Sequence, residues 1–320
     1  MTKQEMKRLR AMLSRLSAAQ RVELVPELQS AMSQDASTAI IESRLGQTRS
    51  CPRCGGERVV KNGHADGLQR YKCRGCGSTF NALTNTPLAR LRHRDRWLGQ
   101  AEAMSAGLSV RKTAARLKVH RTTAFRWRHR WLERARTVKA ATMVGVVEAD
   151  ETYELRSYKG QKARLLLEAS RAPRRRGGRA AKRGLSREQV PILVLRNRSG
   201  DTSDFVLPNT GKAALKTVLP VALAEDAVLC TDGSNHLSTA ARELAIEHQA
   251  VVTSAGERVR GPWHIQNVNA YHSRWKGWLR RFHGIATSYL PNYLGWFRAL
   301  DRNARERAEP SRLLALAVGP

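Results

Sequence analysis

Along the first 45 residues the apolar positions Met6, Leu9, Met12, Leu13 and Leu16, then Val22, Leu24, Leu28 and Met32, recur at helical spacing among charged residues. The pattern predicts two short helices whose apolar stripe packs on a neighbouring element or a second subunit. From Arg92 the helical period returns, and the stretch 108–127 has the layout of a helix-turn-helix. Ser109 is placed to cap the first helix, Ala114 is small where two helices cross, Leu117 and Val119 bracket the turn, and Ala124 and Trp127 face inward from the second. Arg121, Thr122, Arg126 and Arg130 are left on the outer side, available to phosphates and base edges. Lys118 stands at the turn position where Gly is usual, so a plain basic amphipathic hairpin is the competing reading.

After Lys139 the period shortens. Val144 to Asp150 alternates and ends in an acid, Val190 to Leu195 reads as a buried strand, and residues 198–202 are a turn. A helix over 211–224, a strand from Ala227 to Thr231 ending at Asp232, a helix from Leu237 to Ile246, a strand from Ala250 and a helix from about Asn267 to Phe282 follow. Strands first, then strand and helix in alternation, is the order of an α/β or RNase H-like domain. Between its first two strands lies Arg171 to Arg187, with eight Lys or Arg and no acid. Such a stretch cannot bury itself; beside an acid-bearing strand, Arg174, Arg175 and Arg176 are candidates for DNA contact.

Composition sharpens this picture. The chain has 57 Lys and Arg against 27 Asp and Glu, a formal charge of +30, and therefore seeks a polyanion. No apolar run approaches the roughly 20 residues of a membrane span, and no charged segment followed by an apolar one opens the chain, so a cytoplasmic, nucleoid-associated protein is expected. Cys51-Pro-Arg-Cys54-Gly and Cys73-Arg-Gly-Cys76-Gly form a CxxC…CxxC array, the spacing of a four-thiolate structural zinc site, and each following Gly suits a backbone turning at positive φ. Tyr71 and Phe80 flank the second knuckle as apolar support, while Cys230, in an apolar run, reads as a buried core residue.

Asp150 and Asp232 both end apolar strands, where an open α/β sheet gathers its reactive groups. If those strands are neighbours, the carboxylates converge and can hold Mg²⁺ or Mn²⁺ for in-line displacement at phosphorus. A third ligand is expected from the segment 264–276, with Asn269, Asn267 and the earlier Glu257 as the alternatives. His264 and His272 are more simply capping or phosphate-contacting groups, and Trp275, Trp278, Phe282, Tyr289, Tyr293 and Trp296 more simply core.

Together the knuckles, the helix-turn-helix, Asp-Glu-Thr-Tyr at 150–153, Thr-Asp-Gly at 231–233 and His-Ile-Gln-Asn-Val-Asn-Ala-Tyr-His-Ser-x-x-Lys at 264–276 resemble a bacterial insertion-sequence transposase. The likeness is to the family numbered fifteen-ninety-five, in the branch whose third catalytic residue is Asn. The resemblance implies a multi-domain α+β chain: a helical segment at 1–47, a zinc ribbon at 48–88, the helix-turn-helix at 89–139, an RNase H-like catalytic domain at 140–302 with its basic insertion at 171–187, and a tail at 303–320. It implies Asp150, Asp232 and Asn269 as ligands of catalytic Mg²⁺ or Mn²⁺, and Lys276, two helical turns beyond Asn269, as a phosphate-gripping residue. It also implies cutting of transposon ends, joining to target DNA, and a homo-oligomer that holds two ends. A DNA-binding regulator without catalysis and a nuclease that cuts without joining are the rival functions.

Overall fold

The computed structural model describes residues 2–46, 49–140, 142–169, 180–181, 186–252, 255–306 and 309–319. They form two compact units: one runs up to Arg134 and is completed by the segment from Glu309 onward, and the other starts at Ala135 and fills the stretch between.

In the first unit, α1 (Lys3–Arg15) and α2 (Ala18–Ser43) each open on a capping box, Thr2 with Glu5 and Ser17 with Gln20. The apolar residues of the expected stripe stay largely exposed: α1 buries no side chain, and α2 buries Ser37 and Ile41 near its far end. Strands β1 (Val59–Ala65), β2 (Leu68–Cys73) and β3 (Thr79–Phe80) make a small antiparallel sheet. Beyond it, α3 (Trp97–Ser105), α4 (Val110–Arg116) and α5 (Arg121–Ala135) close around Trp97, Met104, Ala114, Trp127, Trp131 and Leu132, with Trp97 and Trp131 in edge contact at 6.3 Å.

The second unit is built on β4 (Val146–Leu155), β5 (Gln189–Asn197), β6 (Thr202–Val206), β7 (Val228–Thr231) and β8 (His248–Ala250), in the order β6-β5-β4-β7-β8. β4, β5 and β6 pair antiparallel, and β4, β7 and β8 pair parallel, the RNase H-like arrangement. The helices are α6 (Lys162–Ala169), α7 (Lys212–Ala222), α8 (Asn235–Glu243), α9 (Gln266–Leu279) and α10 (Leu290–Glu306); the last helix of the chain, α11 (Ser311–Val318), belongs to the first unit.

The period-2 side-chain alternation of β4 assigns its two faces different tasks. Val147 and Ala149 join Leu193, Leu195, Leu215, Leu219, Leu229 and Leu237 in one apolar core. Glu148, Asp150 and Glu154 point to the opposite face, where partners come from α9: Val268 for Glu148, His272 for Asp150 and Trp275 for Glu154. Behind α9 lies an aromatic core of Trp275, Trp278, Phe282, Tyr293, Trp296 and Phe297; the expectation of core packing holds for the first five, whereas Tyr289 is only partly buried. α10 is fixed to β6 by the buried ion pair of Arg298 with Asp204, and Arg298 also donates to the carbonyls of Val138 and Ala135.

Several boundaries differ from the sequence reading. The helix expected to reach Phe282 ends its α-helical part at Leu279 and tightens into a 3-10 turn over Arg280–Phe282. The strand expected from Ala250 is centred two residues earlier, at His248–Ala250. Strand β6 carries no clean alternation because Ser203 and Asp204 are both buried polar residues, Ser203 bonded to Ala140 and Asp204 to Arg298. Within the expected C-terminal tail, α11 buries Leu313, Leu314, Ala317 and Val318.

Gly295 of α10 lies so close to the Ala135 carbonyl that a Cβ would overlap it. Replacing it, Gly295→Ala, is expected to lower stability by about 1–3 kcal/mol despite the better helix propensity of Ala, read as a fall in melting temperature.

Candidate functional site

The four cysteines meet where two tight knuckles face each other. The Gly55 and Gly77 amides return to the Cys51 and Cys73 carbonyls at 2.9 and 3.0 Å, and both glycines sit at positive φ, 72° and 73°, as the motif requires. The four sulfurs all lie within 4.8 Å of one another, with Cys51 to Cys76 at 3.6 Å and Cys54 to Cys73 at 3.7 Å. A disulfide would bring a pair to about 2.05 Å, whereas a tetrahedron of metal–sulfur bonds near 2.3 Å has edges of about 3.8 Å. The donor set therefore fits a tetrahedral metal ion. Hydrogen bonds from Ser78 hold the Cys76 thiol down to about 6, favouring the thiolate a metal needs. Tyr71 and Phe80, with ring centroids 5.7 Å apart, support the site from below together with Val59 and Leu45.

The helix-turn-helix is made as its residues suggested. The Ser109 hydroxyl accepts the Lys112 amide at 3.3 Å, and Ala114, Leu117, Ala124 and Trp127 are buried. Lys118 adopts the left-handed conformation, φ 50°, that Gly would enter without cost. Its compensation is Arg96, whose guanidinium donates to the Leu117 and Lys118 carbonyls at 3.0 and 2.8 Å. Arg121 and Arg126 are exposed on α5, as is Thr122, whose hydroxyl meets the His120 ring at 2.9 Å. Arg130 departs from the expectation: its guanidinium donates to the Pro87 and Ala89 carbonyls and pairs with Glu133 at 3.7 Å, which commits it to the protein's own chain. The outer face instead includes Phe125, 39% exposed and tilted against the His129 ring with centroids 4.4 Å apart, a residue the spacing argument passed over because an aromatic defaults to the core. Arg174, Arg175 and Arg176 lie outside the described residues.

In the second unit, β4 and β7 are parallel neighbours with Glu148 opposite Cys230. Asp150 and Asp232 each stand two residues further on, so the register sets the two acids side by side, Asp232 just past the end of β7 and Asp150 in the middle of β4, which runs on to Leu155 instead of ending at the acid as expected. Burial first, and then the charges of both Asp150 and Asp232, push the Glu151 carboxyl up to about 7; the same three acids, after burial, push Tyr153 up to about 12. The Asp232 carboxylate is fixed by the turn that carries it. It accepts the Ser234 amide at 2.9 Å, Gly233 takes φ 85°, and the Thr231 hydroxyl accepts the Gly233 amide at 3.1 Å, which explains all three residues of the Thr-Asp-Gly motif.

Helix α9 crosses the same face of β4. His272, nearly buried, places Nδ1 3.6 Å from Asp150, and its Nε2 has no partner among the described residues. Asn269 and Lys276 are exposed, three residues before His272 and four after it, on one helical stripe. Asn267 is engaged elsewhere: its amide donates to Glu148 at 2.7 Å. Glu257 accepts the Val252 amide at 3.0 Å, and among the described residues no contact joins it to either aspartate. His264 has the capping role anticipated for it, accepting the Gln266 amide at 3.3 Å. Cys230 is fully buried beneath the His264 carbonyl, as a core thiol. The sequence reading missed Glu148, Arg198 and Glu154; alternation along β4 already put Glu148 and Glu154 on the face of Asp150, and that was the available signal.

Burial, and secondarily the Arg128 charge, depress His129 to about 4. The folded chain thus holds His129 neutral, so stability is intact above the ordinary His range and falls as pH drops from about 6.5 towards 4, where the unfolded chain takes up the proton. His129→Gln is expected to flatten that part of a melting-temperature profile against pH.

Among the described residues no helix is long and apolar enough to cross a membrane. Residues 142–298 match the ISXO2-like transposase domain, and residues 90–138 match a homeodomain-like domain. An uncharacterized protein in transposable element ISH50 of Halobacterium salinarum is 29% identical over 255 residues, which cover 78% of this chain and 83% of that protein. The paired acids on a five-stranded sheet, the DNA-binding helices and the cysteine cluster agree with these likenesses, and the chain carries an ISXO2-like transposase domain together with a homeodomain-like DNA-binding segment.

Proposed function

We propose that this transposase is catalytically active, that it binds the terminal inverted repeats of its own insertion sequence, and that it cuts those ends and joins the freed 3′-OH to target DNA. The observation that carries the reading is the juxtaposition of Asp150 and Asp232 on adjacent parallel strands, with the Asn269, His272 and Lys276 stripe of α9 alongside. Divalent Mg²⁺ or Mn²⁺, when bound, would supply Lewis-acid stabilisation of charge developing at the phosphorus. Asp150 and Asp232 would hold it through carboxylate oxygens, and Asn269 would add a neutral amide oxygen. His272 steadies Asp150 from beneath, and Lys276 grips the phosphate next to the scissile one. Asn269 is preferred to Asn267 because it shares the helical stripe of His272 and Lys276, whereas the Asn267 side chain is turned to Glu148.

Recognition falls to the first unit. Arg121, Thr122 and Arg126 read or grip the duplex from α5, with Phe125 beside them. The cysteine cluster holds zinc as a structural ion, since four thiolates at these separations suit it, and it braces a sheet too small to fold on an apolar core alone. Two ends must be joined in one reaction, so the active species is a homo-oligomer.

The test is purified protein with its element's end sequences, a target plasmid, and Mg²⁺ or Mn²⁺. Joined product is expected; end binding without cleavage would establish a regulator, and cleavage without joining a nuclease. Asp150→Asn and Asp232→Asn are each expected to lower joining at least about a hundredfold while end binding stays within twofold or so of wild type. Asn269→Ala should be similarly crippling and Asn269→Glu tolerated; activity surviving in Asn269→Ala but lost in Asn267→Ala would move the third ligand. Separately, Cys73→Ser or a strong chelator is expected to release about one zinc per chain by atomic absorption and to unfold the ribbon, with loss of end binding.

A further inference from the structure

We infer that Glu148 is a positioning residue for the third catalytic position: it caps helix α9 from the strand beneath and so sets where Asn269 stands relative to Asp150. The inference rests on the proposed active site.

Helix α9 starts at Gln266 behind Ile265, whose side chain cannot cap, so its first amides need partners from elsewhere. Gln266 finds the His264 ring, and Val268 donates to Glu148 Oε2 at 2.9 Å. The Asn267 side chain donates to the other Glu148 oxygen at 2.7 Å, and the first amide to bond within the helix is that of Asn269, to the Ile265 carbonyl at 3.1 Å. A strand carboxylate thus does what a Ser or Asp at the N-cap ordinarily does, and it does so one residue before Asn269.

The carboxylate is held rigidly. Glu148 is 0% exposed, and a bare charge there would be strongly destabilising. The Arg198 guanidinium donates to it, the His264 ring lies 3.4 Å away, and Arg198 also binds the Pro262 carbonyl at 2.9 Å, tying down the chain just before the helix. Register follows from matched rises. From Glu148 to Asp150 the strand climbs about 6.6 Å, and from Val268 to His272, their respective partners, the helix climbs about 6 Å. A slip of one residue at the Glu148 anchor would turn α9 by about 100° and swing Asn269 away from the aspartates.

Two substitutions separate reach from charge. Glu148→Asp keeps the charge for Arg198 but is one methylene too short for α9; Glu148→Gln keeps an oxygen that reaches Val268 and loses the charge. The readout is Mn²⁺ binding to the full-length, zinc-loaded protein with end DNA, followed by electron paramagnetic resonance. Glu148→Asp is expected to weaken Mn²⁺ binding about tenfold, the scale on which partners behind a metal ligand act, and Glu148→Gln to stay within about threefold of wild type. Because Glu148 works through Asn269, Glu148→Asp combined with Asn269→Ala should bind no more weakly than Asn269→Ala alone. Additive losses, or a Gln protein weaker than the Asp protein, would reduce Glu148 to a structural ion pair and overturn the inference. Should Glu148→Asp not fold, Glu148→Gln decides by itself, a loss well beyond threefold overturning the claim. Wild-type protein that binds no Mn²⁺ dependent on Asp150 and Asp232 would instead overturn the proposed site, so the two failures are distinguishable.

Discussion

One strand face governs the second unit. β4 places three acids, Glu148, Asp150 and Glu154, on the side that α9 covers, and carboxylates beneath a helix are tolerated only if that helix brings donors to them. α9 does so along its length, with a backbone amide and an Asn side chain, then an imidazole, then an indole N–H. Every other feature near the site is a condition for that match. The aromatic layer keeps α9 pressed down, Arg198 balances the deepest charge, and the Arg298 pair with Asp204 fixes α10 behind it. The middle acid, Asp150, is more open than the fully buried Glu148 and is the one set next to Asp232, so the same face that costs desolvation energy also brings two acids together.

Neutrality at the Asn269 position is consistent with this electrostatic setting. Burial first, and then the charges of Asp150 and Asp232, raise the Glu151 carboxyl to about 7, so a further carboxylate in the cleft would add to an existing repulsion. In the proposed site an amide oxygen would contribute a ligand without that penalty, at the expense of affinity for the ion.

What the sequence made legible followed from strong local rules. CxxC spacing, the small residue at Ala114 and the cap at Ser109 each demand one geometry, and the structure has it; the two acids also fall on neighbouring strands, although β4 runs on past Asp150 to Leu155. The less legible parts depend on partners distant in sequence. Arg130 reads as a free cation on a helix face until the carbonyls of Pro87 and Ala89 are found beneath it. Lys118 reads as an objection to the turn until Arg96 supplies the compensating bonds. β6 escapes period counting because its buried positions are polar residues satisfied by Ala140 and by Arg298. Glu148 escapes as an ordinary strand acid, since nothing within ten residues of it hints at α9.

Helix α11 deserves a reading in time as well as space. It comes from the last residues of the chain, yet Leu313, Leu314, Ala317 and Val318 are buried within the unit that begins at the N-terminus. A ribosome making this chain therefore finishes the whole RNase H-like unit before the DNA-gripping unit can close its core. The order of closure is set by where one eight-residue helix sits in the sequence.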